Sequence, residues 1–262
     1  MNLNDYWNML ISAEQTFITI NDAWKKEHGS SSLISTYELE RMRQSAKKDL
    51  IYAAVKRALD VHGVQNVTIP EDAIDKLQRA EGFSVEAVEE AIKEPYLAHA
   101  DQEAYNQLIK QAKMLIPWTN FDKPSTVQEL VRGRVLKLRI HWFIDSVDSS
   151  SYDRLYALQI LLKAHLTKTP LSQCNLDGAS SIDAVIESFR DSKQPFNQAR
   201  AYTYLVNPID GFKVHKNGHI EIAFKEAEDA ETAAKILLEQ TLSPPPDAQA
   251  TGHGPGQDMQ GP

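Results

Sequence analysis

Three carboxylates near the middle of the chain are the residues best placed for catalysis. Asp145, Asp148 and Asp153 flank the run Ser149-Ser150-Ser151, between a predicted strand end and a predicted helix start. Carboxylates in such a place can hold Mg²⁺ for phosphoryl chemistry, as in a metal-dependent nuclease or phosphoesterase that uses Asp145, Asp148 and His141. Asp and Ser are also the residues that a helix N-terminus recruits for capping. We prefer the capping interpretation and keep the magnesium site as the alternative.

Phosphate binding is indicated by a short basic segment. Arg132 and Arg134 precede a predicted strand, and Lys137, Arg139 and His141 project from one face of that strand. Arginine and lysine side chains in such a row can contact the phosphates of a nucleic acid. The same pattern also occurs on a solvated strand face, where charges discourage edge pairing. Nucleic-acid binding through Arg132, Arg134, Lys137 and Arg139 is therefore a hypothesis with a structural alternative.

A second basic cluster lies near the N-terminus. Arg41, Arg43, Lys47 and Lys48 occur on a predicted helix with Glu and Asp nearby. Mixed charges of this kind are typical of a solvated helix face. We interpret the cluster in that way.

Two histidines and the single cysteine are the remaining candidates. His215 and His219 face each other across a predicted hairpin, where two imidazoles could share a divalent metal. No third ligand is visible in the sequence, and cross-strand pairing on an exposed face explains the pair equally well. Cys174 lacks a motif that would tie it to a base, which argues against a nucleophile.

Several motifs that define common enzymes are missing. The sequence contains no GxxxxGK[ST] loop, no GxGxxG after a strand, no HExxH and no paired CxxC. A nucleotide hydrolase and a classical zinc site are therefore not supported. We expect no cofactor.

Composition limits the class of protein further. The net charge of -8 argues against a protein that coats nucleic acid or an anionic membrane by bulk electrostatics, although a local basic face stays compatible with it. The apolar content of 42% is enough to build a core. One cysteine, no secretory signal and no stretch of eighteen apolar residues lead us to expect a cytoplasmic protein without a membrane span.

Helical periodicity dominates the first part of the chain. Apolar residues at steps of three and four, from Leu3 to Trp24, predict a helix that ends near Gly29. Ser35 and Glu38 resemble a capping box that opens a second long helix ending at Gly63. Two such helices joined by a short polar loop are expected to pack as an antiparallel hairpin.

Shorter helices and a small sheet should follow this hairpin. Helices are predicted to open near Pro70, after Ser84, near Leu97, after Ser125 with Gln128 as its capping partner, near Tyr152, after Ser180 and at Glu226. Alternation between residues 136 and 144 predicts a strand with one buried face. We expect an α+β, predominantly helical fold with a long N-terminal helical hairpin, a small antiparallel sheet and flanking helices. The predicted domains are a helical region over residues 1–116, an α+β domain over 117–242 and a disordered tail over 243–262.

The turn at Asn217-Gly218 allows the register of a β-hairpin to be predicted. A two-residue loop would pair Val214 with Glu221 and mix polar and apolar residues on both faces. A three-residue loop, with Gly218 in the left-handed conformation, instead pairs Val214 with Ile220 and Phe212 with Ile222. We predict the second register, which leaves His215 opposite His219 and Lys213 opposite Glu221 on the other face.

The same segment carries a resemblance to a known family. Residues 211–224, with an aromatic strand, the Lys-Asn-Gly turn and a second apolar strand ending in Phe224, are followed by a charged helix. This ending resembles an uncharacterised bacterial domain of unknown function, found in proteins of plasmids, phages and integrated elements and sometimes joined to DNA methyltransferases. The resemblance implies a genomic setting and no particular activity.

These observations lead to three hypotheses about function. The first is a non-enzymatic accessory or interaction protein of a bacterial mobile-element or phage-conflict system that contacts nucleic acid through the basic segment. The second is the metal-dependent nuclease or phosphoesterase described above. The third is a structural protein that associates with itself through the N-terminal helical hairpin.

Overall fold

The computed structural model describes residues 2–29, 32–33, 35–117, 124–140, 142–143, 146–147, 149–176, 182, 207–215 and 217–240. Within them the α-helices are α1 (Leu3–His28), α2 (Thr36–Val61), α3 (Glu71–Arg79), α4 (Val85–Ile92), α5 (Ala100–Ala112), α6 (Val127–Leu130), α7 (Ser149–Thr167) and α8 (Ala227–Leu237). A π-helical turn covers Lys93–Leu97, and 3₁₀ turns cover Lys113–Leu115 and Leu171–Gln173. The strands are β1 (Val131–Arg132), β2 (Val135–Arg139), β3 (Trp142–Phe143), β4 (Ser146–Val147), β5 (Ile209–Val214) and β6 (His219–Phe224). The predicted α+β, mostly helical fold is confirmed.

The chain divides into two compact units. Unit 1 contains Met1–Gln111 and Tyr156–Ser181, and unit 2 contains Ala112–Leu155 and Ile182–Pro262. Helix α7 is thus split between the units after Leu155. This partition differs from the predicted domains, because residues 156–181 belong to the first unit. The two folding domains predicted from the sequence stay a prediction, and the predicted tail beyond residue 242 lies outside the described residues.

Helices α1 and α2 of unit 1 form the predicted antiparallel hairpin. Arg43 of α2 lies 3.4 Å from Glu14 of α1, and the Leu33 amide donates to the side chain of Asn21 at 3.1 Å. The Ser35 hydroxyl caps α2 by accepting the Tyr37 amide. The hairpin is confirmed, but the face of α1 that contacts α2 contains the buried Trp7 and Asn21 and leaves much of the predicted apolar stripe exposed.

Unit 2 is built on a four-stranded antiparallel sheet. The strand order is β1-β2-β6-β5, and β3 pairs with β4 separately. Phe212 pairs with Ile222 and Val214 with Ile220, as predicted, and the chain bulges between Ile209 and Gly211. Gly218 has φ of 80° and its amide donates to the His215 carbonyl at 3.0 Å. The predicted three-residue loop and its left-handed glycine are therefore confirmed.

One face of this sheet forms the core of unit 2. Alternate residues of β2, β5 and β6 are almost completely buried, namely Leu136, Leu138, Phe212, Val214, Ile220, Ile222 and Phe224. Helix α8 contacts this sheet, and it buries Ala230, Ala233, Ala234, Ile236 and Leu237. Small alanine side chains allow a helix to approach a sheet closely, so the apolar face is covered. On the opposite face, Arg139, Lys213 and His219 are exposed, and Lys137 and Glu221 are half-buried.

Most of the other predicted helices are confirmed, whereas one strand end and one capping box differ from the prediction. The helices predicted near Pro70, after Ser84, near Leu97, near Tyr152 and at Glu226 are confirmed, with bounds that shift by a few residues. The strand predicted over 136–144 ends at Arg139. The capping box predicted for Ser125 and Gln128 is wrong by one position, because Thr126 and Glu129 form it. The helix predicted after Ser180 lies outside the described residues, except for Ile182.

Candidate nucleic-acid interface

The face of the four-stranded sheet opposite the core, which we call the outer face, carries arginine or lysine from β1, β2 and β5 and His219 from β6. Strand register sets the rows, because cross-strand partners point to the same side of a sheet. Arg132 is beside Val135, and the next row runs Lys137–Glu221–Lys213 across β2, β6 and β5. Arg139 follows, paired with His219. Three of the four predicted binding residues, Arg132, Lys137 and Arg139, therefore share this face.

Arg132 is positioned by the short helix α6, which ends directly before β1. Val127 and Leu130 of α6 are buried, and the helix begins with a capping box at Thr126. The Glu129 carboxylate accepts the Ser125 amide at 2.8 Å and the Thr126 amide at 2.9 Å. These backbone hydrogen bonds, followed by the bond from the Thr126 hydroxyl, hold the pKa of Glu129 below its usual range. The start of β1 is thus fixed by packing and by a charged cap.

Two carboxylates reduce the charge of the outer face. Glu221 stands between Lys137 and Lys213 as the cross-strand partner of each. Asp210, at the bulge of β5, lies 3.4 Å from Arg134. Arg134 is therefore engaged with a carboxylate at the edge of the face, and it is a weaker phosphate ligand than the sequence indicated. The lysines and arginines of the outer face still outnumber its carboxylates, so its net charge is positive.

The two predicted metal-ligand candidates adjoin the same face. His215 and His219 close the hairpin, since the His215 amide donates to the His219 carbonyl at 2.8 Å. The His215 ring lies 3.4 Å from the Glu221 carboxylate through Nε2. Within the described part of the chain, no group of three His, Cys, Asp or Glu side chains is close enough to hold a metal ion. His219 is on the same face as Arg139, its cross-strand partner.

Of the proposed catalytic residues, only Asp153 has a side chain that the structure describes. His141, Asp145 and Asp148 lie outside the residues whose side chains are described, so the magnesium site stays a prediction. Asp153 is exposed in the first turns of α7. Cys174 is buried, and its Sγ lies 3.8 Å from the Ile160 carbonyl, which is a packing environment and no place for an accessible nucleophile.

Arg41 of the basic cluster on α2 is exposed, whereas the other three residues make contacts within unit 1. Arg43 pairs with Glu14 and Glu40, and Lys48 pairs with Glu71 and lies 3.5 Å from Asp75. These ion pairs join α2 to α1 and to α3. The interpretation of the cluster as a solvated face is wrong for Lys47, whose side chain is buried.

Lys47 holds the C-terminus of α3. Its Nζ donates to the Gln78 carbonyl at 2.9 Å and to the Ala80 carbonyl. Carbonyls at a helix end lack partners within the helix and carry the negative end of its dipole, so an ammonium group satisfies both requirements. Burial lowers the pKa of Lys47, and the positive charge of Arg43 lowers it further. Sequence alone gives no sign of this contact, because its partners are backbone atoms more than thirty residues away.

We expect Lys47→Met to destabilise unit 1 by about 1–2 kcal/mol, because two carbonyls at the end of α3 lose a charged donor while the apolar stem is kept. The free energy of unfolding from urea titrations measures this change. Lys56→Met, at an exposed position of the same helix, is the matched control and should change stability by less than about 0.5 kcal/mol. Equal stability of the two variants would contradict the structural role of Lys47.

The fold and the outer face together define a mostly helical α+β protein whose sheet carries a row of basic side chains on one face. Comparison with known protein families, with curated proteins and with solved structures finds no match to this chain. Among the described residues, none of the helices is both long and apolar enough to cross a membrane.

Proposed function

We propose that the chain is a non-enzymatic accessory protein that contacts nucleic acid through the outer face of its sheet. The observation that carries this proposal is the register of the four strands, which puts Lys137 and Arg139 on one face with Arg132 and Lys213. Cationic side chains at spacings of a few ångströms on a flat surface match the repeated phosphates of a nucleic-acid backbone.

The side chains on this face indicate the kind of contact. Among the described strands, the outer face carries Val135, Ala223 and Gly211 between its charged rows and no aromatic side chain. Stacking of bases on aromatic rings, which many single-strand binders use, is therefore not supplied by these residues. Arginine and lysine supply phosphate contacts, which carry little sequence information. We expect binding that is salt-dependent and tolerant of sequence.

Charge outside the face limits the affinity. The chain has a net charge of -8, so its long-range field repels a polyanion. At physiological salt the Debye length is about 8 Å, which screens distant carboxylates but leaves direct contacts effective. The proposal therefore predicts short-range binding of modest affinity rather than tight coating of nucleic acid.

The setting that we propose is a bacterial mobile-element or phage-conflict system. Its support is the resemblance of residues 211–224 to a domain that occurs in such proteins. We prefer a non-enzymatic role because the cationic side chains of the outer face suit phosphate contacts, and no group of three possible metal ligands occurs among the described residues. The nuclease hypothesis depends on His141, Asp145 and Asp148 and remains an alternative.

A triple variant tests this proposal. We expect Arg134→Ala, Lys137→Ala and Arg139→Ala together to weaken binding of labelled duplex and single-stranded oligonucleotides by at least about tenfold at low salt. Fluorescence anisotropy of the full chain measures the dissociation constant. Replacement of three exposed lysines of unit 1, Lys26, Lys56 and Lys76, by alanine is the charge-matched control. Equal weakening by both variants, or no binding by the wild-type chain at low salt, would overturn the proposal.

A further inference from the structure

Helix α1 exposes an uncharged apolar stripe. Tyr6 is 49% exposed, Met9 59%, Phe17 42% and Ile20 48%, with the small Ala13 exposed between them. Large apolar side chains that lie in one row on a helix surface, rather than singly, mark an interaction site. The stripe is distinct from the face that contacts α2, which contains Trp7 and Asn21.

Charge is almost absent from this part of the helix. Between Tyr6 and Asn21 the only charged residue is Glu14, and its side chain is 16% exposed and lies 3.4 Å from Arg43 of α2. Depletion of charge with enrichment of aromatic residues and methionine is typical of the centre of a protein interface. Since the chain carries a net charge of -8, two copies repel each other in general, and an uncharged stripe is the kind of surface on which they can meet.

The spacing of the stripe is the same in both directions along the helix. Tyr6 and Met9 precede Ala13 by seven and four residues, and Phe17 and Ile20 follow it by four and seven. An interface between two identical copies related by a two-fold axis must be complementary to itself, so that residue i contacts j and j contacts i. With the axis at Ala13, an antiparallel pair of α1 helices places Tyr6 against Ile20 and Met9 against Phe17.

We propose that this stripe is the interface of a homodimer in which two α1 helices pack antiparallel across Ala13. Each pair joins a large aromatic ring to a flexible or branched aliphatic side chain, and methionine sulfur packs well against aromatic rings. The small Ala13 at the crossing allows the backbones to approach closely. A parallel pair would place Tyr6 against Tyr6 and Phe17 against Phe17, so no aromatic ring would pack against an aliphatic side chain in this way.

The exposed area agrees with a dimer of moderate affinity. About half of each of the four large side chains is exposed, which gives roughly 400 Å² of apolar surface per copy. A standard interface buries about 800 Å² per partner, so the polar residues beside the stripe would supply the remainder. We expect a dissociation constant on the order of micromolar.

A charge exchange between opposing positions tests the proposal on the full chain. Sedimentation velocity should show a concentration-dependent dimer for the wild-type chain. Met9→Lys alone and Phe17→Glu alone should each weaken dimerisation by at least about tenfold, because each buries an unpaired charge against an apolar partner. An equimolar mixture of the two variants should recover a dimer, since Lys at position 9 of one copy then meets Glu at position 17 of the other.

The controls distinguish this geometry from a general effect of added charge or of lost helix. Ile11→Lys changes an apolar residue that is 37% exposed but lies on nearly the opposite side of α1, and it should leave the dimer intact. Helical circular dichroism of each variant should equal that of the wild-type chain.

Two outcomes would contradict the dimer. A wild-type chain that stays monomeric at about 100 μM, a concentration well above the expected constant, would overturn the proposal, and would leave a different protein as the partner of the stripe. A mixture that fails to recover the dimer would overturn the antiparallel arrangement. Oligonucleotide binding at the sheet of unit 2 is measured separately, so either proposal can fail without the other.

Discussion

Lys137→Gln should weaken nucleic-acid binding, and Glu221→Gln should strengthen it. The two residues are cross-strand partners at the centre of the outer face, so both substitutions change the charge at nearly the same place. One removes a cation that a phosphate would contact, and the other removes an anion that repels the phosphate. Two unit charges about 4 Å apart in water interact by about 1 kcal/mol, so we expect about a fivefold change in each direction at low salt.

The opposite signs make this pair of variants informative. Glutamine is polar and similar in length to both residues, so any loss of sheet stability should move both affinities in the same direction. The double variant should bind about as tightly as the wild-type chain. Lys76→Gln, on α3 in unit 1, provides the control for net charge. If fluorescence anisotropy gave dissociation constants that change in the same direction for both variants, the outer face would not be the binding surface.

A second large effect is expected at Gly218, where Gly218→Ala should destabilise unit 2 by about 2–4 kcal/mol. The residue has φ of 80°, which costs an L side chain energy whatever its surroundings. A Cβ atom there would also lie 2.9 Å from the Ile140 carbonyl oxygen. That neighbour cannot move away easily, because the Ile140 amide donates to the Gly218 carbonyl at 2.8 Å and ties β2 to the hairpin turn.

Gly133→Ala is the matched control for this prediction. Gly133 lies in the turn between β1 and β2 with φ of 59°, and no atom lies within 4 Å of the position of its Cβ. Its substitution should therefore cost only the conformational term, about 1 kcal/mol. Urea unfolding, followed by a probe in unit 2, gives the difference between the two variants. Equal costs would mean that the contact with Ile140 does not constrain the hairpin.

The sheet shows where sequence reasoning succeeds. In the hairpin, apolar and polar residues alternate on both sides of an Asn-Gly turn, and only one register places Phe212, Val214, Ile220 and Ile222 on the same face. A shift of one residue would expose all of them to water. The periodicity of β2 places Lys137 and Arg139 on the opposite face for the same reason. Local pattern therefore predicts which residues share the candidate site.

Other features depend on contacts that a sequence pattern does not contain. Glu221 and Asp210 reduce the positive charge of the outer face. Their positions follow from pairing across strands and are not visible in the basic segment itself. Lys47 looks like any exposed lysine until α3 brings two carbonyls to it. Helix α1 carries apolar residues on more than one side, so periodicity alone does not tell which side packs on α2. Tertiary arrangement decides each of these cases.

The salt dependence of binding tests the central claim most directly. For the wild-type chain, the logarithm of the association constant should fall linearly with the logarithm of the salt concentration, because phosphate contacts release counterions. The variant with Arg134, Lys137 and Arg139 changed to alanine should have a smaller slope on duplex DNA, by about 0.9 for each phosphate contact that it loses. A slope that is the same in the variant and in the wild-type chain would contradict a nucleic-acid interface on the outer face of the sheet.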